Sequence, residues 1–250
     1  MYNEISGGVT AAKGFTAAGV HCGVKAGSSP DKNDLALILS QRECTAAATY
    51  TLNRVKAAPI YVTMDHLENG VAWGVVANSG NANACCPMSH ENAEAMCEAA
   101  ARATGREAGD FVVASTGVIG QELNIAAIQA GLPECAAALS KEGSDAAANA
   151  IMTTDTVKKE LAVTCSIGGK TVTIGAIAKG SGMIQPQHGH HAVLCHHRLR
   201  HYPGNALRRP PRDRPPDLQP GDHRRGHLHQ RHVRGAGQRH GGEPPHRVEG

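Results

Sequence analysis

The chain has 250 residues, a formal net charge of +3, 41% hydrophobic residues and eight cysteines. This length is enough for one sizeable hydrophobic core or two smaller ones. No apolar run approaches the ~18 residues of a membrane span, residues 1–10 lack the apolar stretch of a secretory signal, and the cysteines form no C-x-x-C pair. We therefore expect a cytoplasmic protein without a membrane segment, a disulfide framework or a structural zinc site.

The average charge hides a change of composition near residue 185. Residues 1–184 carry a net charge of −4, whereas residues 185–250 carry +7 and contain 12 Arg, 12 His and nine Pro. The second part has no apolar alternation and no helical period, so burial is not expected to offset the cost of about 1 to 2 kcal/mol per ordered residue. The sequence predicts a folded domain over residues 1–186 and an unstructured basic tail over residues 187–250.

Strand patterns dominate the first 80 residues. Residues 34–40 alternate between two sets of apolar side chains and predict a buried strand, and residues 46–51 predict a second one. Pro59 is expected to limit any helix near it. Residues 71–77 predict a strand that leads into residues 78–84, Asn-Ser-Gly-Asn-Ala-Asn-Ala, a loop rich in residues that tolerate left-handed backbone and supply amide donors.

Helices and strands alternate in the following hundred residues. Ser89 is expected to cap a helix that stops at Gly105, and Ser144 another that runs to Met152. Between them, residues 111–114 predict a short strand that delivers Ser115-Thr116-Gly117-Val118-Ile119-Gly120, a turn whose N–H groups could face an anion. Helical segments are also expected at residues 125–130 and, starting at Pro133, at residues 133–139.

Residues 160–179 predict a hairpin, because apolar residues alternate on both sides of Gly168-Gly169. The interleaving of strands and helices places the fold in the α/β or α+β class. Lys179 ends the hairpin and precedes Gly180 and Gly182, which allow close backbone approach to a ligand. This arrangement is typical of active-site strand ends, with a solvated lysine beside a loop as the simpler alternative.

Two other patterns imitate binding motifs. Residues 168–171, Gly-Gly-Lys-Thr, resemble the end of a phosphate-binding P-loop, but Thr164 stands where that motif requires its first glycine. The histidine cluster of residues 188–197 lacks the regular spacing of a metal site, so no metal is expected. Thr153-Thr154-Asp155-Thr156 follows a helix and fits either a helix stop or a binding site.

Seven segments, in this order and spacing, resemble the bifunctional ornithine acetyltransferase / N-acetylglutamate synthase family of arginine biosynthesis over about residues 3–186. They are Gly7-Gly8-Val9-Thr10, Lys13-Gly14-Phe15, Lys56-Ala57-Ala58-Pro59, residues 78–84, residues 115–120, Met152-Thr153-Thr154-Asp155-Thr156 and Ala178-Lys179-Gly180-Ser181-Gly182-Met183-Ile184.

The resemblance implies an acyltransferase with layered sheets flanked by helices, which moves an acetyl group from N2-acetylornithine, or from acetyl-CoA, to glutamate. It assigns Thr116 and Gly117 to an oxyanion hole, and Thr153 and Lys179 to substrate binding. It implies no cofactor, with acetyl-CoA entering only as a co-substrate, and neither nucleic acid nor membrane as a partner. Intact members of the family form a heterotetramer of two α and two β chains.

The resemblance also implies a nucleophile that the printed chain lacks. In the family the precursor cuts itself before a threonine that follows Lys-Gly-Ser-Gly-Met-Ile-x-Pro-Asn-Met-Ala, and the freed threonine attacks the acetyl group, activated by its own α-amine. Here the similarity ends at Pro186, and His190 stands at the position of the threonine.

A one-base frameshift near residue 187 explains this departure. Codons for residues 187–193, read one base further on, permit Asn-Met-Ala-Thr-Met-Leu, and those for residues 219–231 permit Asn-Arg-Val-Thr-Ile-Asp-Gly-Asp-Thr-Ser-Thr-Asn-Asp. Both runs resemble the family. We therefore expect the tail to be out-of-frame translation and the chain as printed to be inactive.

Two alternatives come from other functional classes. A protein whose basic tail binds nucleic acid or metal would suit the charge of +7, but Tyr202 is the tail's one aromatic residue and no groove-reading element is evident. An aminopeptidase of similar self-cleaving architecture is the other alternative. The Thr-Thr-Asp-Thr and Asn-Ser-Gly-Asn-Ala-Asn segments favour the acetyltransferase.

Overall fold

The structure is a computed structural model that describes residues 2–180 and the backbone of residues 192–197. Within these ranges the chain forms two four-stranded sheets, four α-helices and two 3-10 helices. The strands are β1 Tyr2–Ile5, β2 Phe15–Val20, β3 Leu35–Thr45, β4 Val71–Asn78, β5 Phe111–Ser115, β6 Lys159–Ile167, β7 Lys170–Lys179 and β8 Ala192–His197. The helices are α1 Ala58–His66, α2 Ser89–Thr104, α3 Ile125–Ala137 and α4 Ser144–Ala150, with 3-10 turns at Gly8–Thr10 and Ala108–Asp110.

The two sheets differ in strand direction. The first has the order β1-β6-β7-β8 and is antiparallel throughout. The second has the order β2-β3-β4-β5, and its β4 and β5 are parallel. Val20 pairs with Leu35, Leu35 with Asn78 and Asn78 with Ser115, so the carboxyl ends of β4 and β5 lie at one edge. In open sheets, ligands commonly bind outside such strand ends.

The second sheet is covered on both faces. Leu35 and Leu37 of β3 belong to a core shared with α2 and α3. The alternate residues Ala36 and Ile38 belong to a second core, shared with α4 and with Ile177 of β7. Burial on both faces explains the unbroken apolar run of this strand. The predicted class, mixed α/β with sheets flanked by helices, is confirmed.

Several predicted elements are also confirmed. β4, β5 and α2 lie where the apolar patterns placed them, β3 begins as predicted but continues to Thr45, and Gly105 ends α2 with a φ of +69°. β6 and β7 form the predicted hairpin. Its turn residues Gly168 and Gly169 have φ values of +59° and +74°, as a two-residue turn that matches the strand twist requires.

Three predictions about elements are wrong. Residues 46–51 form no strand, because Thr45 already pairs with Val71, the first residue of β4, and leaves the following residues without a partner strand. Pro59 lies in the first turn of α1, where its missing N–H costs nothing, so it starts the helix instead of limiting it. Pro133 lies inside α3, which is one helix because residues on both sides of Pro133 are buried in the same core.

Neither predicted serine cap is formed. Ser89 is the first residue of α2, and its Oγ accepts a hydrogen bond from the Cys86 N–H at 3.2 Å. Ser144 is the first residue of α4, and its Oγ accepts from the Val9 N–H at 3.0 Å, 135 positions away in the chain. Both hydroxyls therefore join neighbouring segments to the helix ends.

The predicted basic tail, residues 187–250, lies outside the described residues except for the backbone of β8. This strand pairs antiparallel with β7, with Lys179 opposite Ala192. At its six residues the structure departs from the expectation of an unstructured tail, because β7 offers a strand edge and Ala-Val-Leu-Cys is an apolar run. Within the described ranges, no helix has the length and apolar content needed to cross a bilayer.

Candidate active site

Lys179, the last residue of β7, contacts two threonines from distant parts of the chain. Its Nζ donates to Thr116 Oγ1 at 2.7 Å and to Thr153 Oγ1 at 2.9 Å. Thr116 follows β5 and Thr153 follows α4, and all three residues are half-buried. Three of the four predicted site residues therefore meet directly, and Gly117 is adjacent in the chain to one of them.

The charge of Lys179 is poorly compensated. Burial lowers the pKa of the Lys179 amine below its usual value and nearby Lys159 lowers it further, whereas the Asp155 charge partly opposes the shift. In the described part of the chain, Lys179 hydrogen bonds to hydroxyls and forms no ion pair. An amine in this state gains from an incoming carboxylate, because a negative partner restores the stability of its charged form.

Asp155 forms hydrogen bonds to the segments that carry Thr153 and Lys179. Its carboxylate, with 1% of the side chain exposed, accepts hydrogen bonds from Gly180 N at 2.8 Å, Thr153 N at 3.3 Å and Lys159 Nζ at 2.7 Å. Burial raises the pKa of this carboxyl group, but the three hydrogen bonds outweigh burial and hold the pKa at about 2. Asp155 is not among the site residues predicted from the sequence. The available signal was its position two residues after Thr153, where Asp commonly accepts from the backbone.

The turn after β5 is joined to the asparagine-rich loop after β4. Thr116 N donates to Asn78 O at 3.1 Å, and Val118 N donates to Gly80 O at 3.2 Å. Gly117 has a φ of +135°, and a Cβ at this position would overlap the peptide between Gly80 and Asn81. The turn therefore requires glycine on grounds of both backbone conformation and space.

These contacts leave two donors available at the turn. The Thr116 backbone N–H is bonded to Asn78 O, whereas the exposed Gly117 N–H donates to no described residue. The Thr116 Oγ1 accepts from Lys179, so its own proton remains to be donated. A neighbouring N–H and O–H pair of this kind is able to stabilise a developing oxyanion.

Side chains that commonly bind metals are not clustered in the described part of the chain. Residues 2–180 contain no group of three or more His, Cys, Asp or Glu side chains placed to hold a metal ion. The histidine cluster of residues 188–197 and His190, which occupies the expected nucleophile position, lie where no side chain is described.

Comparison with known proteins identifies the family. A sequence model of the ArgJ family matches residues 16–195. The chain belongs to the ArgJ family. The match ends nine residues beyond Pro186, where the sequence motifs end.

Curated relatives and solved structures agree with this family. The arginine biosynthesis bifunctional protein ArgJ of Symbiobacterium thermophilum is 51% identical over 183 residues, covering 73% of this chain and 45% of the relative. The protein of the same name from Gloeobacter violaceus is 51% identical over 190 residues, covering 74% of this chain and 46% of the relative. The chain thus spans about half the length of the curated relatives it matches.

Two solved structures share the fold described above. Arginine biosynthesis bifunctional protein ArgJ of Bacillus halodurans superposes with a TM-score of 0.68 at 38% identity, covering 77% of this chain and 98% of that chain. Ornithine acetyltransferase of Mycobacterium tuberculosis, solved in complex with ornithine, superposes with a TM-score of 0.65 at 37% identity. The match covers 78% of this chain and 100% of that chain.

Proposed function

We propose that the chain supplies part of the active site of an acetyltransferase that moves an acetyl group from N2-acetylornithine, or from acetyl-CoA, to L-glutamate. With acetylornithine as donor, the products are N-acetylglutamate and ornithine. The observation that carries the proposal is the contact of Lys179 with both Thr116 and Thr153, next to the unused Gly117 N–H. The ornithine complex of the Mycobacterium tuberculosis relative supports the same substrate class.

Thr116 and Gly117 stabilise the transition state. Attack on the acetyl carbonyl places a negative charge on its oxygen, and this oxygen accepts from the Gly117 N–H and the Thr116 O–H. The Lys179 ammonium, 2.7 Å from Thr116 Oγ1, polarises the hydroxyl and makes it a stronger donor. Donors of this kind contribute about 10² to 10³ each in rate.

Lys179 and Thr153 hold the amino-acid part of the substrate. Glutamate and N2-acetylornithine both carry an α-carboxylate, which the poorly compensated amine of Lys179 attracts. The Thr153 hydroxyl, 2.9 Å from the same amine, provides a second polar contact. Asp155 keeps both residues in place through Thr153 N and Gly180 N.

The nucleophile is a threonine that appears when the reading frame near residue 187 is shifted by one base. In the restored chain it falls across the codons of His190 and His191 and becomes the first residue of a second fragment after self-cleavage. The α-amine of that threonine accepts the proton of its hydroxyl. The two fragments then assemble as the α and β chains of a heterotetramer, in the cytoplasm.

The test is to express the frame-restored gene beside the printed chain. We expect two fragments divided just before the threonine, together with acetyl transfer from N2-acetylornithine to glutamate. The printed chain should give one unprocessed band and no transfer, since no threonine is available at position 190. A frame-restored protein that folds but stays whole and inactive would contradict the proposal, as would turnover by the printed chain above a buffer blank.

A further inference from the structure

A cavity of about 360 Å³ lies between the turn before β2, the middle of β3 and the loop before α4. Three cationic residues, Lys13, Arg42 and Lys141, line it, and no acidic residue is among the described residues of its wall. The remaining lining residues are Thr10, Ala11, Ala12, Gly14, Phe15, Ser40 and Gln41. The cavity therefore concentrates three positive charges on one small volume.

The cavity is separate from the acetyl-transfer site. It lies where Phe15 pairs with Ser40, whereas Val20 pairs with Leu35 and Leu35 with Asn78 at the opposite end of the same strands. Five residues of strand span about 16 Å at ~3.3 Å per residue. Thr116 bonds to Asn78, so the acetyl-transfer site belongs to that opposite end.

The cations have no partners in the part of the chain that the structure describes. None of the three side chains forms an ion pair or a hydrogen bond there, and all three residues are exposed. Like charges around one cavity repel one another, and an anion between them would relieve this repulsion. The arrangement therefore favours a negatively charged occupant.

Hydrogen bonds hold the three cation-bearing segments together. The Thr10 hydroxyl donates to Lys141 O at 2.6 Å, which joins the turn to the loop before α4. Gln41 N donates to Gly14 O at 2.8 Å, which joins the same turn to β3 beside Arg42. The backbone positions of the three cationic residues are thus fixed before any ligand arrives, so binding has to order their side chains but not these segments.

We propose that this cavity binds a small, multiply charged anion that carries phosphate or carboxylate groups. Arg42 supplies a planar guanidinium that suits two oxygens at once, and Lys13 and Lys141 supply point charges. The volume is within the range of small-molecule sites. Residues 7–10 and 13–15 carry part of the family resemblance, are not among the residues proposed above for acetyl transfer, and line or support this cavity.

Isothermal titration calorimetry of the full chain with pyrophosphate and, separately, with citrate tests the proposal. We expect saturable binding of at least one anion with a single site per chain, and the tighter of the two reports whether phosphate or carboxylate is preferred. Lys13→Ala, Arg42→Ala and Lys141→Ala should each weaken binding about two- to fivefold, the usual worth of an exposed charge pair. Lys32→Ala, an exposed lysine away from the cavity, is the matched control and should leave binding unchanged.

The basic residues of positions 185–250 are common to all these variants, so differences among them report on the cavity alone. Thermal unfolding of each variant verifies that its fold is kept. Absence of saturable binding by either anion would overturn the proposal. Equal weakening by Lys32→Ala and by the three cavity variants would also overturn it, because that pattern indicates general attraction to a basic protein.

Discussion

Gly180 N donates a 2.8 Å hydrogen bond to the carboxylate of Asp155, so a side chain that is 1% exposed fixes the backbone immediately after Lys179. The same carboxylate accepts from Thr153 N. One buried negative charge thus positions both residues that we propose for substrate binding. Its removal should affect stability and the geometry of the site together.

Asp155→Asn should lower the free energy of unfolding by about 2 kcal/mol at pH 7. The pKa of Asp155 is about 2 in the folded chain and 3.8 in the reference state. Because the folded pKa is the lower one, the stabilisation is present above about pH 4 and disappears as the pH falls through 2. Urea unfolding of both proteins from pH 7 down to pH 2 measures this.

Asp65→Asn, at an exposed position on α1, is the control and should leave the free energy of unfolding almost unchanged. The pH dependence is the decisive part of the result. A constant difference between the Asp155→Asn chain and the parent from pH 7 to pH 2 would mean that the charge of Asp155 does not contribute as argued.

Gly117→Ala should destabilise the chain more than Gly120→Ala does. Both glycines have positive φ, +135° and +77°, so both substitutions introduce backbone strain of about 1 to 3 kcal/mol. The new methyl group at Gly117 would also overlap the Gly80 peptide, whereas nothing lies within 4 Å of a Cβ at Gly120. Urea unfolding of the two variants compares them. Equal losses would show that the turn after β5 is not held against the asparagine-rich loop.

In the frame-restored enzyme, Thr116→Val should lower kcat about 10² to 10³-fold with little change in KM, because the oxyanion forms only in the transition state. Lys179→Met should raise the KM for glutamate, since it removes the charge that attracts the carboxylate, and should also lower kcat, since it removes the ammonium that polarises the Thr116 hydroxyl. Steady-state kinetics separates the two effects. Thr171→Val, at an exposed position on β7, is the matched control. A Thr116→Val enzyme with a changed KM and an unchanged kcat would exclude the oxyanion role.

The sequence pattern alone predicts the elements whose formation depends on residues that are close together in the chain. Apolar alternation around Gly168-Gly169 predicts the hairpin, and a glycine after an amphipathic run predicts the end of α2. The same alternation places Lys179 at a strand end. The strand predicted at residues 46–51 failed because pairing depends on a neighbouring strand, and β4 begins at Val71, opposite Thr45.

The contacts of the site depend on tertiary structure. Thr116 follows a strand of one sheet, whereas Lys179 ends a strand of the other, 63 positions further along the chain, so no period or propensity predicts that they hydrogen bond. The resemblance to a family selected both residues, but only the packing of the two sheets brings them together. Asp155 was missed for the same reason, because its role arises from burial beneath Gly180, 25 positions away.

The most direct test is to incubate the frame-restored enzyme with N2-acetylornithine in the absence of glutamate. We expect that ornithine is released once per active site, and that the fragment beginning with threonine gains the mass of one acetyl group. Glutamate added afterwards should remove that group and appear as N-acetylglutamate. Transfer that proceeds only when both substrates are present, with no acetylated fragment, would contradict the covalent mechanism and the roles given to Thr116, Gly117, Thr153 and Lys179.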